Sequence, residues 1–233
     1  GQTIEAEEHY KKALQIDPQN IRALLGVAGI HYAAADCKSA LRFYDQVLSL
    51  DKNNTAAWAG RGDALLCTKD NDQALQSYER ALAIEPENTA ALLGMGDALY
   101  ERDSYSEALL YYEQAARQDP NSARGCKGLG NAFAALGEYE RALPLFEKSL
   151  SQKPSDIDAL LGKGLALAAL GKRSSAIKTF KEIASADPEN YAAWSNLGSL
   201  QAASGNYDEA AGSLEKACRA DASHEEIWFN LGQ

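Results

Sequence analysis

Cysteine and histidine are the residues of this chain best suited to metal or redox chemistry, and their spacing argues for neither. Cys37, Cys67, Cys126 and Cys218 form no CxxC pair, and none is followed by the paired histidines of a zinc site. His9, His31 and His224 are scattered. The cysteines therefore read as structural or incidental thiols, and their lack of paired spacing suits a reducing, cytoplasmic setting. No serine or cysteine has a histidine and a carboxylate in an evident catalytic arrangement. Glycine pairs recur as GxG at Gly60 and Gly62, Gly94 and Gly96, Gly128 and Gly130, and Gly162 and Gly164. A phosphate site would need a strand before such glycines and a helix opening at them. Here they lie inside helical patterns. No enzyme, metal or cofactor is expected.

The elements that carry these residues follow from a lattice. Pro86, Pro120, Pro154 and Pro188 stand 34 residues apart, and Pro18 lies two periods before Pro86. A fixed period of this length marks a stacked repeat. Counting repeats from Ile21, Thr55, Thr89, Ala123, Ile157 and Tyr191, the fourth position holds Leu24, Trp58, Leu92, Cys126, Leu160 and Trp194, with Trp228 in a further partial repeat. The eighth holds Ala28, Gly62, Gly96, Gly130, Gly164 and Gly198. The twentieth is Ala40, Ala74, Ala108, Ala142, Ala176 and Ala210 throughout. The twenty-fourth is Tyr44, Tyr78, Tyr112, Phe146, Phe180 and Leu214.

Each unit reads as two helices, because apolar positions recur at helical period in each half. Small residues at the eighth and twentieth positions let the two backbones approach. Asn20, Asn54, Asn88, Ser122, Asp156 and Asn190 are N-cap types preceding each first helix. Gly137, Gly171 and Gly205 supply left-handed closures, and the lattice proline stops each second helix. The pattern predicts helices over 21–34, 38–50, 55–68, 72–84, 89–102, 106–118, 123–136, 140–152, 157–170, 174–186, 191–204 and 208–220. A leading helix is expected over 3–16 and a trailing one from about 225. Pro144 falls off the lattice, inside a second helix, and is expected to face outward. His31 takes a large-residue position and reads as a packing histidine.

This register resembles the tetratricopeptide repeat family over the whole chain. The residues that carry the resemblance include Trp58, Gly62, Ala74, Tyr78, Ala81 and Pro86 in one repeat, and Trp194, Leu197, Gly198, Ala210 and Ala217 in another. The resemblance implies an all-α, right-handed superhelical solenoid of antiparallel hairpins, with first helices lining a concave groove. Residues 1–20 are then the second half of a truncated repeat, 21–224 six full repeats and 225–233 the start of another, in one solenoid domain.

The formal charge of −10 argues against nucleic acid or an anionic membrane as partner and favours a basic one. No apolar run is long enough to span a bilayer. Ile227, Trp228 and Leu231 have no following helix to cover them, so self-association through uncapped ends is a further expectation.

Function is expected in the groove. Positions 2, 5, 6, 9, 12 and 13 of the first helices point into it. The best-equipped stretch is Leu25, Tyr32, Asp63, Leu93, Asp97, Tyr100 and Glu101, with Lys127 and Asn131 beyond it. Tyrosine offers contact area with a polar tip, and the carboxylates select a basic segment. Glycines at the sixth position, such as Gly60 and Gly94, bare backbone on the groove floor. Lys127 and Asn131 match the first pair of the carboxylate clamp found in co-chaperone members of the family, but Gly162, Ala192 and Asn196 break it. The chain is expected to be a non-enzymatic scaffold that binds a peptide of a partner protein. The alternatives are a substrate-recruiting arm of a larger enzyme and a self-assembling array.

Overall fold

A computed structural model describes residues 2–220, with side chains from residue 5. The described residues form 13 helices and no strand. α1 spans Gln2–Ile16. Six hairpins follow: α2 (Ile21–Ala33) with α3 (Cys37–Leu50), α4 (Thr55–Cys67) with α5 (Asn71–Ile84), and α6 (Thr89–Tyr100) with α7 (Tyr105–Gln118). Then come α8 (Ala123–Ala135) with α9 (Tyr139–Gln152), α10 (Ile157–Ala169) with α11 (Arg173–Ala186), and α12 (Tyr191–Ala202) with α13 (Tyr207–Ala220). The predicted boundaries agree to within two residues. The helix expected from about 225, with Ile227, Trp228 and Leu231, lies outside the described residues.

The first helices start where a side chain replaces the missing helical acceptor. Asn20, Asn54, Asn88, Ser122, Asp156 and Asn190 each accept a hydrogen bond from the amide three residues on, at Ala23, Ala57, Ala91, Gly125, Ala159 and Ala193. Each first helix closes through a left-handed residue. Gly137, Gly171 and Gly205 do this with φ of 79°, 71° and 80°, but the first three repeats use Ala35, Lys69 and Asp103 at φ of 59°, 62° and 59°. That twist lets the next amide reach back to the helix, as Asp70 N–H does to Leu65 O (2.9 Å) and Lys172 N–H to Leu167 O (2.9 Å). From α3 to α11 each second helix ends two residues before a lattice proline or its substitute, Lys52. Trp58 and Trp194 donate through Nε1 to the lattice carbonyls of Lys52 (2.9 Å) and Pro188 (2.8 Å), so that contact does not need the proline ring. Pro144 sits inside α9 and is exposed, so the carbonyl that lacks its N–H is on the solvent side.

The chain is an all-α solenoid in which each helix packs on its sequence neighbours within two compact units, Gly1–Pro120 and Asn121–Gln233. In the first unit α2 also touches α4 and α4 touches α6; in the second, α8 touches α10 and α10 touches α12. Among the described residues the second helices make no comparable contacts with one another. The first helices therefore lie on the inside of each unit's curve. The twentieth-position alanines are almost wholly buried, from Ala40 at 0% exposed to Ala210 at 3%.

The closures differ in cost. A left-handed L-residue is disfavoured by roughly 1–2 kcal/mol, while glycine is not. A Cβ on Gly171 would meet no atom within 4 Å, so Gly171→Ala tests backbone alone. Urea denaturation should show a loss of about 1 kcal/mol for Gly171→Ala, and no loss or a gain for Lys69→Gly. Equal losses in both variants would contradict this account of the turns.

Candidate functional site

In the first five repeats the packing beneath the inner face is shaped by one aromatic residue each, and in the sixth by Leu214. A Cβ on Gly62 would fall 2.4 Å from the ring of Tyr78, in the same hairpin, and a Cβ on Gly94 would fall 2.2 Å from the same ring. Tyr78 is thus wedged between an eighth-position glycine of its own repeat and a sixth-position glycine of the next. Phe146 sits likewise between Gly130 (2.9 Å) and Gly162 (2.4 Å), Tyr44 presses on Gly60 (2.4 Å), and Tyr10 of α1 presses on Gly26 (2.4 Å). Gly26, Gly60, Gly94 and Gly162 therefore do not widen a groove floor, the role their register suggested; they are recesses filled by the ring that precedes them.

That ring carries its hydroxyl to the inner face. Tyr78 donates to Asp63 Oδ1 (2.8 Å) and Tyr112 to Asp97 Oδ1 (2.7 Å). Both aspartates occupy the ninth position and are half-buried. They were expected as ligand-selecting carboxylates; each also holds a core tyrosine in place. Burial first, then the Asp63 carboxylate and Tyr32, push the Tyr44 hydroxyl up to about 12.

The other expected residues divide. Leu93 is 6% exposed and belongs to the core, and Leu25 is half-buried against the cluster of Leu24, Tyr44 and Val47. The fifth position thus packs rather than presents. Tyr32 is 39% exposed. Tyr100 is half-buried, its ring 5.1 Å from that of Tyr105 and tilted by 56°, while Tyr105 donates to Asp103. Glu101 is exposed at the end of α6. Residues at positions 2, 9, 12 and 13 remain reachable, so Tyr32, Asp63, Asp97, Tyr100 and Glu101 share the inner side of the first unit.

Lys127 and Asn131 are in the second unit. Lys127 Nζ lies 3.1 Å from Asp156 and 3.1 Å from Asp158, at the start of α10. Burial pulls its pKa down, but hydrogen bonds to the two carboxylates outweigh this and leave it raised. It ties α8 to α10. Asn131 is half-buried at the ninth position.

Two features escaped the sequence reading. Cys37 and Cys67, 30 residues apart, form a disulfide with Cα atoms 6.2 Å apart, joining the start of α3 to the end of α4. They are not incidental thiols, and since disulfides persist in oxidising surroundings, the basis for expecting a reducing compartment is gone. Neighbouring repeats bring the seventeenth and thirteenth positions together, a proximity that motif spacing does not encode. Cys126 and Cys218 are buried thiols. His31 stacks on Phe43 at 5.4 Å and contacts Asp36 at 3.1 Å, in keeping with a packing role. The second missed feature is a cleft on the outer side of the second unit, taken up below.

A solenoid of capped helical hairpins with small residues between paired helices is the architecture of a repeat protein built for surface contact. Tetratricopeptide repeat models match residues 1–64, 65–127, 99–160 and 161–225, and the chain belongs to the tetratricopeptide repeat family. Among solved structures it is similar to YrrB, described as a TPR protein with an unusual peptide-binding site, at 22% identity and TM-score 0.66, over 82% of this chain and 98% of that one. It is similar to a tetratricopeptide repeat protein from Parabacteroides merdae at 21% identity and TM-score 0.67, over 99% and 91% of the two chains. It also superposes on the Cut9–Hcn1 structure of the APC/C at TM-score 0.90 and 13% identity, covering 99% of this chain and 46% of that one. No curated protein sequence matches the chain.

Two measurements probe the inner face. Alanine is the better helix former by about 1 kcal/mol, yet Gly94→Ala should destabilise by roughly 1–3 kcal/mol because its Cβ meets a fixed ring. Tyr78→Leu in the same chain should recover part of that loss. An increase in the Gly94→Ala unfolding midpoint would show that the glycine does not serve as a recess. The second is pH dependence. Tyr44 ionises near 10 when unfolded and near 12 when folded, so its neutral form is favoured by folding. Its contribution is whole below pH 10 and is lost as pH rises through about 12. Stability followed across that window should fall less steeply in Tyr44→Phe than in the wild type.

Proposed function

We propose that the chain is a non-enzymatic scaffold that binds a peptide segment of a partner protein along the first helices of its first unit. Tetratricopeptide repeat proteins bind protein or peptide partners, and one structural neighbour is described as peptide-binding. The observation that carries the reading is the repeated pairing of Tyr78 with Asp63 and Tyr112 with Asp97 on the inner side. It sets two carboxylates at one-repeat spacing, held by buried rings, so they are ordered before any ligand arrives. Tyr32, Tyr100 and Glu101 flank them. A peptide with basic groups along an extended backbone complements this surface. A recruiting arm of a larger enzyme would use the same surface, so that alternative differs in what flanks the repeats rather than in how they bind.

Because each aspartate also accepts from a tyrosine, charge is best removed without removing the acceptor. Asp63→Asn with Asp97→Asn keeps an oxygen for each hydroxyl. Fluorescence anisotropy with an array of labelled peptides, graded from acidic to basic, is the assay. Basic peptides should bind best, more weakly as salt rises. The double variant should lose about tenfold, near 1.4 kcal/mol, with helicity unchanged. Affinity indifferent to peptide charge, salt and both substitutions would overturn the reading.

A further inference from the structure

In the second unit a cleft of ≈ 390 Å³ opens between α11 and α13 with α12 as its floor. Its volume is in the range of sites that take a side chain or small ligand. Ala184, Leu197 and Trp194 form the apolar part. Gln201 and Ser213, 3% and 5% exposed, form a polar end: Ser213 Oγ donates to Gln201 Oε1 (2.7 Å), and Gln201 Nε2 donates to Glu209 (2.8 Å). Lys181 and Lys216 stand at the mouth, with Lys216 Nζ 4.2 Å from the centre of the Trp194 ring.

In two of the six repeats, the second and the fifth, the same register holds a cation. In the second too a tryptophan, Trp58, occupies the fourth position and a serine, Ser77, the twenty-third. Arg61 at the seventh position fills the space, bonded to Asp45 of the preceding repeat (2.8 Å) and to Ser77 (2.7 Å), and 5.9 Å from the Trp58 ring. In the fifth repeat Lys163 faces Glu147 at 3.8 Å from the same two positions. In the sixth the seventh position is Leu197, apolar like Val27, Met95 and Leu129 at the same position, and at 1% exposed it forms the buried floor of the cleft and carries no charge into it. The preceding repeat's twenty-fifth position, acidic at Asp45, Glu79, Glu113 and Glu147, has become Lys181. Gly212 opens the wall further, since a Cβ there would meet nothing within 4 Å. No internal cation stands here, and the external sign is the reverse of that in the earlier repeats, on a chain whose net charge is −10.

We propose that this outer cleft is a second binding site, which takes an acidic peptide segment of a partner protein. An apolar side chain of the segment inserts over Leu197 beside Trp194, and adjacent carboxylates pair with Lys181 and Lys216. This site is separate from the inner face and asks for the opposite charge, so one scaffold holds two chemically distinct segments.

The probe is a capped acidic pentapeptide with a central leucine, with its lysine-substituted counterpart as control. It is titrated into nitrogen-15-labelled protein while the indole N–H resonances are followed. The acidic peptide should shift the Trp194 resonance saturably and leave that of Trp58 in place; the basic one should not. Lys181→Glu with Lys216→Glu should weaken binding at least tenfold. Leu197→Arg with Lys181→Asp copies the Arg61–Asp45–Ser77 arrangement into the cleft and should abolish binding; because Leu197 is 1% exposed, the melting midpoint is followed alongside, and the lysine reversals decide the case if it falls. No shift with the acidic peptide, an equal shift with the basic one, or binding that survives the filled cleft overturns the proposal. So does a wild-type dimer that the two lysine reversals dissociate, since the occupant would then be a second copy. Inner-face binding measured with Asp63→Asn and Asp97→Asn is unaffected by any of these outcomes.

Discussion

The stack rests on an aromatic ring that two glycines share. Tyr78 and Phe146 each press on a glycine of their own hairpin and on another at the start of the next. Neither recess exists without the missing Cβ, and neither is filled without the neighbour's ring. One side chain therefore joins the two helices of a repeat and couples that repeat to the following one. This is the nearest-neighbour coupling expected of a solenoid, where no repeat can bury its apolar face alone. The glycines lower helix propensity at several sites, but the buried ring contributes more: full burial of such a side chain is worth about 1.5–3 kcal/mol.

The tip of that ring sets the polarity of the inner face. In the first unit the rings are tyrosines, and Asp63 and Asp97 meet their hydroxyls. In the second unit they are Phe146 and Phe180, which have no hydroxyl, and the ninth positions are Asn131, Leu165 and Ser199. A core difference of one oxygen atom thus goes with a different surface on the adjacent helix of the same hairpin. Buried hydroxyls need acceptors, so aspartate at the ninth position answers a packing demand before any ligand is considered. Lys127 is a parallel case, since its charge is met by Asp156 and Asp158 of the following repeat.

The outer clefts follow a similar logic with another filler. In the second and fifth repeats Arg61 and Lys163 at the seventh position pair with an acid one repeat back, Asp45 and Glu147. In the sixth repeat Leu197 stands at the seventh position and Lys181 where the acid would be, and a cleft opens there. Disulfide formation between Cys37 and Cys67 likewise acts across repeats, at residues 30 apart.

Helices, caps, turns and the pairing of each first helix with its second were legible in the sequence, because each depends on residues within one 34-residue period. Asn54 caps by reaching three residues, and Gly171 turns through its own φ. The spacing of Ala40 and its equivalents was sufficient to show where two backbones meet. What the sequence left open were the side-chain contacts themselves, within a hairpin as for Tyr78 with Asp63 and between neighbouring repeats. The register placed Gly94 toward a groove, yet only the packed structure put the ring of Tyr78 there. It buried Leu93, turned Asp63 and Asp97 into tyrosine acceptors, paired Cys37 with Cys67 and opened the cleft at Leu197. A helical period specifies the direction in which a side chain leaves its own helix; what it meets depends on how closely and at what angle the next hairpin docks, and that is decided by the sum of many side-chain volumes rather than by any one position.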